Sequence, residues 1–167
     1  MTTALLTNGS CPADARGAAA YYRAHGFAPI PIPTRAKRPL LPGWERFTLT
    51  DDGLDAHFPV GHEMNVGNLN GAPSGGKVDV DLDCPEARRA APHLLPPTDM
   101  VTGRESAPDS HWWYQITDGA PAKAASNFDD PTDATSGHLL ELRSTGGQSI
   151  LPPSVYPRDA EKGHATE

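Results

Sequence analysis

The chain has 167 residues, 37% of them hydrophobic, a length and composition that suit one domain built around a single core. With 21 acidic against 14 basic side chains and a formal charge of −7, it lacks the strongly basic footprint of a general nucleic-acid coat, though a local basic groove is compatible with that total. No apolar run approaches a membrane span, residues 1–6 lack the blocks of a signal peptide, and Cys11 and Cys84 lie far apart with no CxxC spacing. These features predict a cytoplasmic protein with no membrane contact, disulfide framework or zinc ribbon.

Residues 1–12 are expected to fray. From about Ala13 to His25, Ala15, Ala18, Ala19 and Tyr22 recur at helical spacing, and Gly26 suits the position just past a helix end. Phe27 to Pro33 reads as extended; its alternating prolines cannot donate to a ladder, which places it at a sheet edge. A loop from Thr34 to Arg46 carries Arg35, Lys37, Arg38 and Arg46, and as a bare charge cluster it reads as a solvated loop. Thr50 is a candidate cap for a short helix through Asp51 and Asp52 to Phe58. Asn65 to Gly71 reads as a short strand ending in a turn. The next loop, Gly71 to Val78, nearly spells a phosphate-binding P-loop. It fails because Val78 replaces the required Ser or Thr and the loop leads into a strand.

That strand is the most informative stretch. In Lys77-Val78-Asp79-Val80-Asp81-Leu82-Asp83, apolar residues alternate with three aspartates, the period of a half-buried strand with one carboxylate face. Aspartate is depleted in strands, and like charges along one face repel. Same-face neighbours stand roughly 6.5–7 Å apart, so divalent cations between them would relieve the repulsion. A solvent-facing strand with Asp83 capping the helix suggested by residues 85–90 accounts for Asp83 but not for all three acids.

Met100-Val101 begins another short strand, followed by a loop from Thr102 to Asp109. Ser110 to Ile116 is aromatic and strand-like, with His111 at its beginning, where a flexible loop would let it reach a ligand. Residues 117–138 are polar and read as one long loop. Leu139 to Arg143 is a strand with Leu140 and Leu142 inward and Glu141 and Arg143 opposite, and Ser149 to Leu151 is the last strand. The segment from Arg158 reads as a disordered polar tail, so residues 1–157 form one domain and 158–167 the tail.

Carboxylates on two strands with a histidine able to meet phosphate oxygens describe metal-assisted phosphoryl or nucleotidyl transfer. An EF-hand starting at Asp79 fails, because Cys84 stands where glycine is needed and Ala90 where glutamate is needed. A DxD glycosyltransferase or a metal-dependent phosphohydrolase stays open on the aspartates alone.

The ordered set resembles the N-terminal primase/polymerase (Prim-Pol) domain of the archaeo-eukaryotic primase superfamily. The matching stretches are Val80-Asp81-Leu82-Asp83, then Asp109-Ser110-His111, then Leu140-Glu141-Leu142-Arg143. Tyr21-Tyr22 leading to Gly26-Phe27, the Lys37…Pro39…Gly43-Trp44 loop and Gly146-Gly147…Leu151-Pro152-Pro153-Ser154 add to it, so the resemblance covers about residues 13–157. It implies an α+β domain with an RRM-like antiparallel catalytic sheet and an N-terminal α/β extension. It implies that Asp81, Asp83 and Glu141 hold two divalent metals, Mg²⁺ or Mn²⁺, with a register shift to Asp79 and Asp81 as the alternative. His111 would contact the triphosphate of a nucleotide, and Arg143 would also touch phosphate. The implied function is template-directed nucleotidyl transfer, as DNA primase and DNA polymerase, in DNA replication. The implied partners are nucleoside triphosphates, a single-stranded DNA template held weakly by the chain itself, and a helicase or accessory domain. A catalytically silent nucleic-acid-binding remnant is the non-enzymatic alternative.

Overall fold

The computed structural model describes residues 11–119, 125–132 and 138–155. Among the described residues three α-helices occur in chain order, Ala15–Ala24 (α1), Leu54–His57 (α2) and Pro85–Leu94 (α3). The strands are Pro29–Pro33 (β1), Met64–Leu69 (β2), Lys77–Leu82 (β3), Val101–Arg104 (β4), Ala107–Gln115 (β5), Ala125–Asp129 (β6), His138–Arg143 (β7) and Gln148–Leu151 (β8). They form two antiparallel sheets, β1-β2-β8 and β4-β5-β3-β7-β6, so the fold is α+β.

Helix α1 begins at Asp14, whose carboxylate accepts the Gly17 N–H at 2.8 Å. Its periodic residues Ala15, Ala18, Ala19 and Tyr22 are all buried, and Gly26 takes a φ of 76° just past its end. Small alanines let the helix lie close to β1 and β2 of the smaller sheet. With Phe27, Val66, Leu151 and Trp113 they form the main apolar cluster. The proline-alternating β1 pairs only with β2 and is an edge, as its missing donors require. The loop after β1 closes over the outer face of the smaller sheet, where Trp44 and Phe47 pack on Ile30, Ile32 and Leu69.

Strand β3 is central in the larger sheet and leads by a right-sized connection into α3. Its start is held by the loop after β2, whose Gly71 (φ 73°) passes so close to Thr145 that an added Cβ would lie 2.3 Å from the Thr145 nitrogen. Lys77 opens the strand as a buried lysine, with Nζ donating to the Gly26 carbonyl at 3.0 Å over the Phe27 ring. Val80 and Leu82 then face α3 together with Trp112, Tyr114, Leu140 and Leu142.

Several expectations are corrected. β3 is not half-buried: all six of its residues are buried, and on the face opposite α3 Ser149 of the second sheet covers Asp79 while Lys77 reaches the Gly26 carbonyl. The cap of α3 is Cys84, whose sulfur accepts the Ala87 N–H, so Asp83 does not cap it. Thr50 does not cap α2, which starts after Gly53 with no side-chain cap. Thr102 to Arg104 belongs to a strand, and β4 and β5 form a tight hairpin in place of the expected loop. Within the segment read as one long loop, Ala125–Asp129 pairs with β7 as an outer strand. Residues 1–10 and the polar tail lie outside the described residues.

Candidate active site

The register of the larger sheet assembles the site. Asp81 stands directly across from His111 on β5 and from Glu141 on β7, while Asp79 stands across from Trp113 and Arg143. Cross-strand partners share a face, so Asp79, Asp81, His111, Glu141 and Arg143 come from three adjacent strands onto one surface. Asp83 follows the strand end on the same parity and is exposed. His111 is not at a strand start: it is central in the nine-residue β5, held on both sides by Asp81 and Thr102. An irregularity in the β4–β5 pairing precedes it, with Asp109 at a φ of 55°. Gly103 makes room there, since a Cβ would lie 2.6 Å from the Ala107 oxygen. Such bulges re-aim neighbouring side chains.

The contacts divide the acids. Asp79 is completely buried, and its Oδ2 accepts from His111 Nδ1 at 3.0 Å and from Ser149 Oγ at 2.5 Å. Asp81 reaches Arg143 Nη2 at 2.5 Å through Oδ2 and His111 Nδ1 at 3.5 Å through Oδ1. Glu141 accepts from Arg143 Nε at 2.7 Å, so the guanidinium bridges the two carboxylates. Burial pushes the Asp81 carboxyl up to about 6 in spite of the His111 and Arg143 charges. Partial desolvation also raises the Asp83 carboxyl, exposed though the residue is at the strand end. For His111 burial works against the imidazolium, but the charge and hydrogen bond of Asp79, with Asp81 behind it, outweigh that and lift its pKa to about 9.

These groups open onto a groove of about 1030 Å³, large for a small-ligand site, where roughly 300–1,000 Å³ is usual. Asp81, Asp83, His111, Glu141 and Arg143 line it, whereas Asp79 lies beneath it. Its rim carries four basic side chains, Lys37 and Arg38 from the loop after β1, Arg88 from α3 and Arg104 from β4, with Glu105 beside the last of them. Part of the basic loop is therefore turned to the groove. No sequence pattern singles out Arg88, Arg104 or Ser149. Helical spacing places Arg88 and strand alternation places Ser149, but neither pattern says what lies opposite.

The groove's donors suit hard cations, which prefer carboxylate oxygens. As they stand they are spread along the groove and partly neutralised by Arg143, and among the described residues no three His, Cys, Asp or Glu side chains converge on one ion. No helix of the described residues is long and apolar enough to cross a membrane.

No curated protein matches the sequence. The family described as "Bifunctional DNA primase/polymerase, N-terminal" (Prim-Pol) matches residues 18–166, which span both sheets and every groove residue named above. The chain belongs to the Prim-Pol N-terminal domain family, whose general activity is nucleotidyl transfer of the DNA primase/polymerase type, with nucleotide and DNA as binding partners.

Proposed function

We propose that the groove carries out template-directed nucleotidyl transfer, joining a nucleoside triphosphate to a 3′-hydroxyl with release of pyrophosphate, as a DNA primase/polymerase in DNA replication. The observation that carries this reading is the cross-strand alignment of Asp81, His111 and Glu141 at the floor of a groove with a basic rim. The arrangement of β3, α3 and β4 around β5, with β7 on the other side of β3, supports an RRM-like reading of the larger sheet.

Asp81, Asp83 and Glu141 would hold Mg²⁺ or Mn²⁺ as two ions, and Arg143 would exchange its carboxylate partners for phosphate oxygens. Bound there, the ions would lower the pKa of the attacking hydroxyl and stabilise charge on the leaving group. His111 presents its ring to the triphosphate, and Lys37, Arg38, Arg88 and Arg104 supply positive charge to nucleotide and template phosphates. The protein's own contribution is placement and preorganised charge. A helicase or accessory domain completes template capture.

Primer-extension and de novo synthesis assays with ribo- and deoxyribonucleotides, in Mg²⁺ and in Mn²⁺, test this directly. Products that grow with a template and disappear in Asp81→Asn support it. Release of inorganic phosphate without extension would point to a phosphohydrolase, and DNA binding without turnover to a silent binding module.

A further inference from the structure

The third aspartate of β3 is the part of the acidic row that the metal reading leaves over. Asp79 is fully buried and is absent from the groove lining, and its Oδ2 is already shared by two donors. A ligand to an exchangeable cation needs access that this carboxylate lacks.

What surrounds it is a directed line of buried donors from the second sheet. The Ala28 N–H donates to Asn68 Oδ1 at 2.8 Å, Asn68 Nδ2 to Asn70 Oδ1 at 2.9 Å, and Asn70 Nδ2 to Ser149 Oγ at 2.9 Å. Ser149 Oγ then donates to Asp79 Oδ2. Asn68, Asn70 and Ser149 are all completely buried. Each member donates toward Asp79, so the bond dipoles point the same way and reinforce one another at the carboxylate. On the far side the same oxygen accepts from His111 Nδ1. With Nδ1 held, Nε2 is the ring nitrogen left for the groove that His111 lines, and no described residue bonds to it.

We propose that Asp79 is a positioning residue: backed by Ser149 and Asn70, it holds the His111 ring so that Nε2 faces the triphosphate. This rests on the reading of His111 as a triphosphate contact. An imidazole whose second nitrogen is fixed by a carboxylate loses the freedom to flip or swing away, which is how such pairs orient histidine elsewhere. Asp79 itself touches neither nucleotide nor cation.

The test is a double-mutant cycle read by isothermal titration of Mg²⁺–dATP, with melting curves to verify folding. His111→Ala should weaken binding by about 10-fold or more, the scale of a hydrogen bond to a charged group. Asp79→Leu should weaken it by about 10-fold in the native background and by less than about 2-fold in the His111→Ala background. Asp79→Asn, which keeps an acceptor for Nδ1–H, should recover most of the loss. Ser149→Ala lies outside the groove and serves if Asp79→Leu does not fold; it should cost about 3-fold, again only when His111 is present. Equal losses in both backgrounds would reduce the network to sheet packing and overturn this inference while leaving the triphosphate role of His111 standing. Unchanged affinity in a folded His111→Ala protein would overturn both.

Discussion

The two faces of the larger sheet use the same three strands for opposite purposes. On one face the buried Val80 and Leu82, with the partly buried Trp112, Tyr114, Leu140 and Leu142, form an apolar cluster with α3. On the other, one residue out of phase, Asp79, Asp81, His111, Glu141 and Arg143 form a half-covered field of charge. Burial of apolar area stabilises the first face, at about 25 cal/mol per Å². The second holds charged groups away from water and recovers the cost only through mutual pairing. Stability and chemistry are thus divided by strand parity, and a mutation's effect should depend on which parity it touches.

The sharpest break between the faces is Asp81→Asn. Synthesis should fall on the order of 10²–10³-fold, the scale for losing one central electrostatic group. The melting temperature should stay level or rise, because the fold already disfavours the ionised carboxyl there. A folded Asp83→Asn protein with full activity, alongside an inactive Asp79→Asn, would move the metal pair one step down the strand and refute the assignment of Asp79 to positioning.

The mirror experiment is Leu82→Ala, one residue away. Leu82 is 2% exposed beneath α3, so the cavity should cost about 2–5 kcal/mol of unfolding free energy in denaturant titration. Activity per folded molecule should be nearly unchanged. Loss of activity at full occupancy of the folded state would show that the faces are mechanically coupled, contrary to the division by parity.

The faces also differ in how they respond to pH. His111 has its folded pKa raised to about 9 from an ordinary 6.5, so its contribution to stability is complete below about pH 6.5 and is lost as pH rises through 9. Asp81 has its folded pKa raised to about 6 from 3.8; a raised carboxyl likewise favours the fold below about pH 4 and loses that advantage as pH rises through 6. Both limbs slope the same way. Melting temperature measured in chelator should therefore decline between about pH 4 and 9. Asp81→Asn should shrink the acidic limb to the part that Asp83, also raised, supplies, while Leu82→Ala should lower the whole curve without changing its shape. A melting temperature that climbs from pH 5 to pH 9 would show that the field is not arranged as described.

This division was partly legible in the sequence. Alternation in Lys77–Asp83 and Leu139–Arg143 separates the residues facing α3 from those facing the site, because a strand's period of two depends only on local backbone geometry. Helix α1 was legible for a similar reason, its four buried positions falling at helical spacing. Alternation cannot say what covers a face. The second sheet closes over Asp79 through Ser149, seventy residues away in the chain, and that long-range pairing converts a half-buried strand into a buried one. Pro108 and Asp109 read as loop residues, which is why the sequence puts His111 at a strand start. The strand continues through them with one left-handed residue and a bulge, tolerated because aspartate accepts that conformation. Strand β6 is polar and lies outermost, so it carries no apolar period to announce itself.

The smallest expected effect concerns DNA, where the acidic face and its basic rim oppose each other. Affinity for single strands comes mainly from neutralised phosphates and released counterions, with a log–log salt slope of about −0.7 per contact. Lys37, Arg38, Arg88, Arg104 and Arg143 are the basic side chains that line the groove, and Arg143 sits at its floor between Asp81 and Glu141, so four basic side chains reach a strand at the rim. Four contacts correspond to a slope of only about −3. Asp83, Glu105 and Glu141 on the same groove repel the strand, and the chain as a whole carries seven excess negative charges. Binding of single-stranded DNA by this chain should therefore be weak at physiological salt and should weaken only gradually as salt is added. Arg88→Ala or Arg104→Ala should each reduce the slope by somewhat less than one, with little change across template sequences. Fluorescence-anisotropy titrations over a salt series measure both quantities. Tight binding with a slope of −6 or steeper would require eight or more phosphate contacts. That result would place the template on a surface other than this rim and would separate the basic loop from the acidic floor in function.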